Sequence, residues 1–308
     1  MTFDDYLLHP SYLVNTEYEA LHLDRLRRRG PAPALRDSEV LTMELAGEFL
    51  GLDTDKAIYR FFRRYHRAEF PALARVHRTT FARRAVGLWR VAQLLHERLV
   101  GLLPLRYAVS GEPHWLVDSF PLHVCRYARA KGSKLFKGNA AYGHDHVVRN
   151  TFFGFRVHVR CSDCGPVAQV ELTPADVSDP AAAAALVPPG GGVGNGDRAY
   201  WGPDRQAELA RAGLLPLAPY RNKRKDPAPQ RSKLLTRFRR TIETMIGQFA
   251  ERFRAKRTWA RDLWHLCHRL GSKVLSHTAA MVLNHHADNP PLQFDLLITE
   301  LTRTWRYL

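Results

Sequence analysis

The sequence predicts an α/β protein with a helical N-terminal region, and three observations carry that reading. The first hundred or so residues are spaced and punctuated as helices. From about residue 114 the pattern turns to short strand-like runs with helices between them. Two long helical stretches then follow a Pro- and Lys-rich linker.

Taken in order, Pro31 and Pro33 break the chain, and Asp37-Ser38 offers an N-cap to an apolar run, EVLTMELAGEFLG, that Gly51 closes. Asp53-Thr54 caps the next segment, DKAIYRFFRRYHRAEF, and Pro71 ends it. Within that segment Lys56, Arg60, Arg63, Arg64 and Arg67 recur at helical spacing on one face, while Ile58, Phe61, Phe62 and Tyr65 supply the apolar remainder. A further helix is expected from about Thr80 to Leu99.

The strand-like part begins with His114 to Asp118, an apolar run ending in a carboxylate, which Ser119 to Pro121 is expected to stop. A basic, glycine-containing stretch follows, CRYARAKGSKLFKGNAAYG. Two β-like runs come next, TFFGFRVHVRC and PVAQVELTPA, joined hairpin-fashion by Ser162 to Gly165. Asp179-Pro180 and the alanines after it read as a helix. Gly190 to Asp197 is a weak strand on propensity, because glycine and asparagine disfavour that state. Residues 203–213 look helical and LLPLAP is a short strand. The linker RNKRKDPAPQRSK precedes helices expected from about Leu234 to Arg254 and from Ala260 to Asn284.

Of the 308 residues, 46 are Lys or Arg against 30 Asp or Glu, a formal net charge of +16. So basic a surface repels itself unless it meets a polyanion, for which nucleic acid is the first candidate and an anionic membrane the second. No apolar run approaches the ~20 residues that span a bilayer. The acidic start, MTFDDYLLHP, is unlike a basic secretory leader, and four cysteines make no disulfide framework, so a cytoplasmic protein is expected. The basic face of residues 56–67 then reads either as a contact for the DNA backbone or as a solvated charged face.

Three carboxylates stand out by position. Asp118 ends an otherwise buried strand, which is costly unless the charge is paired or bound to a cation. Asp197 closes a glycine-rich run that lets the backbone approach a ligand closely. Glu243 sits one residue past Ile242 in the stripe Phe238, Ile242, Met245, Phe249 and Phe253, so it projects from the edge of that helix's core face, with Arg239 and Arg240 one turn earlier. Carboxylates from separated elements suit hard divalent cations. Two such ions about 3.5–4 Å apart clamp the attacking and leaving oxygens of a phosphodiester. Each residue taken singly also has a plain reading: a turn cap for Asp118, an Asx turn for Asp197, a helical ion pair with Arg239 or Arg240 for Glu243.

The ordered strings VDSFPL, AAYG, GFRVHV, VELTPADVSD, GDRAY and RRTIETMIGQF resemble the insertion-sequence DDE transposases, and within them the insertion sequence 982 family. The resemblance runs from about residue 36 to 286. It implies a ribonuclease H-like catalytic core, a mixed sheet flanked by helices, behind a helical N-terminal DNA-binding domain. The implied organisation is 1–108 for the DNA-binding region, 109–290 for the catalytic domain and 291–308 for a tail. Asp118, Asp197 and Glu243 match the three catalytic carboxylates, which would hold two Mg²⁺ or Mn²⁺ ions. Those ions would serve cleavage at the element's ends and strand transfer into target DNA. The implied partners are double-stranded DNA, both inverted repeats and target, and a second copy of the chain in a dimer or larger synaptic complex. In the Tyr, Arg, Glu, Lys signature of related transposases, Arg239 and Glu243 fit, whereas Thr236 and Ala250 stand where Tyr and Lys are expected.

Lys131, Lys134 and Lys137, with Arg126 and Arg129, form a basic loop expected near the cleaved phosphate. His158 follows the strand alternation, pointing either toward the carboxylates or into the core. Cys161 and Cys164 form half a zinc site, or a plain hairpin turn. Two rival functions stand beside transposition. A nuclease of the same fold would cut without joining, and a DNA-binding relative without catalysis would be indifferent to Asp118→Ala.

Overall fold

The computed structural model describes residues 2–24, 31–104, 113–145, 148–162, 165–196, 203–218 and 229–299. Along the chain come α1 (Phe3–Glu19), α2 (Asp37–Phe49), α3 (Asp55–Tyr65), α4 (Arg78–Gly87) and α5 (Trp89–Gly101). They are followed by β1 (His114–Arg126), α6 (Tyr127–Ala130), β2 (Ala141–Asp145), β3 (Asn150–Ser162) and β4 (Val167–Pro174). Last are α7 (Asp179–Ala183), β5 (Gly192–Asn195), α8 (Pro203–Arg211), β6 (Leu214–Leu217), α9 (Pro229–Glu251) and α10 (Leu263–His286). The chain divides into two compact units: Met1–Leu103 with Phe249–Ala260 and Trp264–Leu308, and Pro104–Gln248 with Arg261–Leu263. The expected boundary at 108 falls outside the described residues.

The first unit is helical. Thr2 and Asp5 close a capping box at the start of α1, and the Thr54 hydroxyl caps α3 by accepting from the Ala57 N–H. At α2 the expected cap moves by one residue: Arg36 is the N-cap, and its backbone N–H donates to the Glu39 carboxylate at 2.6 Å. Gly51 follows this helix at φ +74°, where a side chain would be strained. The helix expected from Thr80 to Leu99 is two helices, α4 and α5, meeting at Leu88. Tyr6 stacks on Phe49 at 4.7 Å, and Phe253, His277 and Phe294 complete an aromatic core.

The second unit is built on a mixed sheet, with β2, β3, β1, β5 and β6 in that order and β4 also paired to β3. β1 runs antiparallel to β3, and β3 antiparallel to β4 and β2. β5 lies parallel to both β1 and β6. Val117 points to one face, where it is buried with Ala183, Leu186, Leu209 and Ala218 from α7, α8 and the segments beside them. On the other face lies α9: the Asn195 amide donates to the Leu235 carbonyl at 2.9 Å, and the His114 ring meets Phe238 at 4.8 Å. This helix–sheet–helix layering fits a ribonuclease H-like core.

Two differences from the sequence reading, and one weak strand that does form, have clear causes. β1 does not stop at Ser119 but continues to Arg126 through Pro121. β5 pairs with it only as far as Leu116, so beyond that point one edge of β1 has no partner strand among the described residues, and an edge tolerates proline. The glycine-rich run makes a true strand, β5, because its neighbours leave no room for side chains. A Cβ on Gly192 (φ +132°) would meet the Pro113 carbonyl at 2.6 Å, and one on Gly194 would meet Leu214 at 2.9 Å. Finally, α9 begins at Pro229, inside the expected linker, as proline at a first helical turn permits.

Candidate active site

β1 carries Asp118 two residues beyond Leu116, the last residue paired with β5. Alternation along the strand turns Asp118 away from Val117, toward the face that α9 covers. On α9, Ile242 and Met245 are buried and Glu243 stands at the edge of that stripe, as its spacing predicts. Arg239, one turn earlier, joins the two acids. Its Nη2 lies 3.7 Å from Asp118 Oδ2 and 3.9 Å from Glu243 Oε1. The other Asp118 oxygen accepts the Ser119 N–H at 2.8 Å.

Two carboxylates from separate elements therefore converge on one positively charged nitrogen. Asp118 is 20% exposed, Arg239 21% and Glu243 59%, so the cluster opens to solvent on the Glu243 side. Hard oxygen donors gathered around a cationic centre, with one side open, fit a divalent ion that keeps positions for water and phosphate. In the structure that positive charge is the Arg239 guanidinium, and its contact with Glu243 is the i, i+4 pair that helical spacing allows. Asp197 lies outside the described residues; it follows Asn195 by two residues, and Asn195 pairs with Leu116, two residues before Asp118.

Among the expected DNA contacts, Lys56, Arg60, Arg63 and Arg64 are all exposed on α3, while Arg67 is exposed just past its end. Arg63 donates to the Tyr59 hydroxyl and Arg64 lies over the Tyr65 ring, which keeps Tyr65 at the surface; Tyr59 takes the buried place instead. Arg129 on α6, then Lys131, Lys134 and Lys137, and Arg240 on α9 are exposed as well. The basic loop does not begin beside Asp118, however. Eight further residues of β1 intervene, ~26 Å of straight strand.

His158 resolves to the core. Pairing opposite Ser119 places it on the face away from Asp118, where it is 1% exposed, with Nε2 2.9 Å from the Thr173 hydroxyl and Nδ1 3.4 Å from Asp179. The Ser119 hydroxyl donates to Asp179 at 2.6 Å, and Arg156 lies 3.7 Å from the same oxygen. Burial alone would raise the Asp179 carboxyl; hydrogen bonds from His158 and Ser119 and the Arg156 charge outweigh it and hold the group below the usual carboxylate range. Sequence reading saw Asp179 only as a helix start, since the register that assembles this cluster is not local. Cys161 is buried, and Cys164 lies outside the described residues.

The helical unit holds a different acidic group, Glu44, Asp55 and His268, whose ligand atoms lie within 4.8 Å of one another. Here the chain's own cations fill the centre: Arg269 Nη1 is 3.1 Å from Asp55 and 3.7 Å from Glu44, and Nη2 is 2.5 Å from Glu48. Lys273 Nζ also sits 2.5 Å from Glu48. A metal at this group would have to compete with a guanidinium already paired to Glu44, Glu48 and Asp55. A cleft of about 620 Å³ in the same unit is edged by Asp4, Asp5, Glu39 and Glu69 against the single arginine Arg36, an acidic balance that does not favour a polyanion.

No helix among the described residues is long and apolar enough to cross a membrane. No curated protein and no solved structure matches the chain. Residues 112–262 do match the family model described as Transposase DDE domain, a stretch that takes in Asp118, Asp197, Arg239 and Glu243, and the match supports a DDE transposase.

Proposed function

We propose that this chain is a transposase of the insertion sequence 982 type that cuts at the ends of its element and joins them to target DNA. In this reading Asp118, Asp197 and Glu243 hold two divalent ions, Mg²⁺ or Mn²⁺. The observation that carries it is the convergence of Asp118 and Glu243 on the Arg239 guanidinium, within the stretch that matches the transposase domain. Asp197 is assigned from the sequence, by its place two residues past the β5 register.

Bound divalent ions supply the positive charge that a phosphodiester needs as its anionic transition state forms. The chain's residues do the rest. Asp118, fixed by the strand and by the Ser119 N–H, is the rigid ligand, and Glu243, more exposed on its helix, is the one free to adjust when DNA arrives. Arg239 offsets one of the two negative charges of Asp118 and Glu243, leaving a net negative site for a cation, and is placed to pair with a phosphate oxygen. The N-terminal helices, with the exposed cations of α3 (Lys56, Arg60, Arg63, Arg64) and Arg67 after it, bind the inverted repeats. Two ends must be held together, so the working form is a dimer or larger assembly.

The test is a cleavage and joining assay on DNA carrying the element's ends, with Mg²⁺ or Mn²⁺. Wild type is expected to give both cut and joined products, and Asp118→Ala, Asp197→Ala and Glu243→Ala neither. Cut product without joined product would leave a nuclease. Full activity in Asp118→Ala would end the reading.

A further inference from the structure

Between β1 and β2 the chain carries a surface that the carboxylate site does not use. From Ser119 to His144 there are five Lys or Arg residues and no Asp or Glu. All five, Arg126, Arg129, Lys131, Lys134 and Lys137, are exposed. Among them stand aromatic rings that have not been drawn into the core. Tyr127 on α6 is 62% exposed and lies 5.5 Å, ring to ring, from Tyr142 on β2, which is 47% exposed. The Tyr142 ring in turn lies 5.3 Å from Phe153, its cross-strand partner on β3.

Cations alone suffice to grip the phosphates of a duplex, whose base faces are already stacked on one another. Exposed rings add affinity only where a base face is free to stack on them, which is the case in unpaired DNA. Tyr127 and Tyr142 are more than singly exposed rings: they meet each other in water, on a stretch of chain whose only charges are positive. We propose that Tyr127 and Tyr142 form a stacking platform, flanked by Arg126, Arg129 and Lys131, that binds a single-stranded segment of DNA. The proposal rests on the transposase reading only in taking DNA as the polyanion.

The experiment compares the full-length protein's affinity for a fluorescent oligothymidine of twenty nucleotides with that for a duplex of equal length, by anisotropy. Tyr127→Ala and Tyr142→Ala are each expected to weaken single-strand binding on the order of ten-fold and duplex binding less than about two-fold. Tyr127→Phe and Tyr142→Phe, which keep the ring, retain single-strand affinity. Equal losses on both DNAs, no loss on either, or failure of the Phe variants overturns the platform. Both tyrosines are exposed, so their variants fold, and melting curves verify it. Running Asp118→Ala in the cleavage assay separates the two questions. If it abolishes cleavage while the Ala variants still bind single strands normally, the platform fails and the transposase reading stands. If cleavage persists, that reading fails, and the ratio of single-strand to duplex affinity still decides the platform.

Discussion

The two units use the same chemistry, carboxylates against a guanidinium, to opposite ends. In the helical unit Glu48 and Lys273 are both fully buried and Arg269 nearly so. Burial drives the Glu48 carboxyl up and the Lys273 ammonium down, each toward its neutral form, and the neighbouring opposite charges work against that drift. In the sheet unit, Asp118, Arg239 and Glu243 stand at longer distances with one side open. A closed network excludes any other ligand and holds helices together. A loose, open one is weak as a brace and available to a cation. Burial and spacing, more than residue type, separate the two roles.

The sharpest test of that contrast is to break each cluster and read both activity and stability. Asp118→Ala should drop DNA cleavage to background while shifting the unfolding free energy by ~1 kcal/mol, since its partly exposed pair with Arg239 is long, at 3.7 Å. Glu48→Ala should do the reverse. Leaving Lys273 buried without its acid, while Arg269 keeps Asp55 and Glu44, costs on the order of 3–5 kcal/mol in urea unfolding, and the double variant Glu48→Leu with Lys273→Met should recover much of it. An Asp118→Ala protein that unfolds as readily as Glu48→Ala would erase the distinction.

Acid provides a second, milder probe. Burial, first of all, and the nearby His96 lower the His277 imidazole to about 3 from its ordinary 6.5. With the folded value below the unfolded one, the unfolded chain binds more protons between those two points. The associated stability is therefore complete above pH 6.5 and is lost as pH falls toward about 3. His277→Phe should flatten the pH dependence of stability across that window. A wild-type curve already flat there would show that His277 is not buried as a neutral ring. The smallest expected effect is at the surface: Lys56→Ala or Arg60→Ala should reduce the salt slope of duplex binding by about one each and leave stability within ~0.5 kcal/mol. An unchanged slope would return that helix face to a merely solvated role.

Much of this was legible in the residues. The caps at Thr54 and Gly51, the apolar stripe around Glu243 and the antiparallel return of β3 into β4 are local signals, and local physics suffices to read them. Pro121 misled because a proline ends a strand only where its missing N–H is needed, and on this edge it is not. His158 could be placed on a face only once its partner, Ser119, was known, since a shift of one residue would turn it over. The Asp179 cluster gathers residues of β1, β3, β4 and α7, which no sequence window contains.

By itself, then, the amino-acid order determined the α/β alternation, the basic surface and the three acids worth watching, because periodicity, charge and turn chemistry act over a few residues. Tertiary structure decided that Asp118 and Glu243 meet at Arg239, that β1 runs on past its proline, and that Glu44 and Glu48 pair with Arg269 and Lys273 in the core. Those outcomes depend on strand register and on what burial leaves beside each charge, and both arise only when distant segments pack.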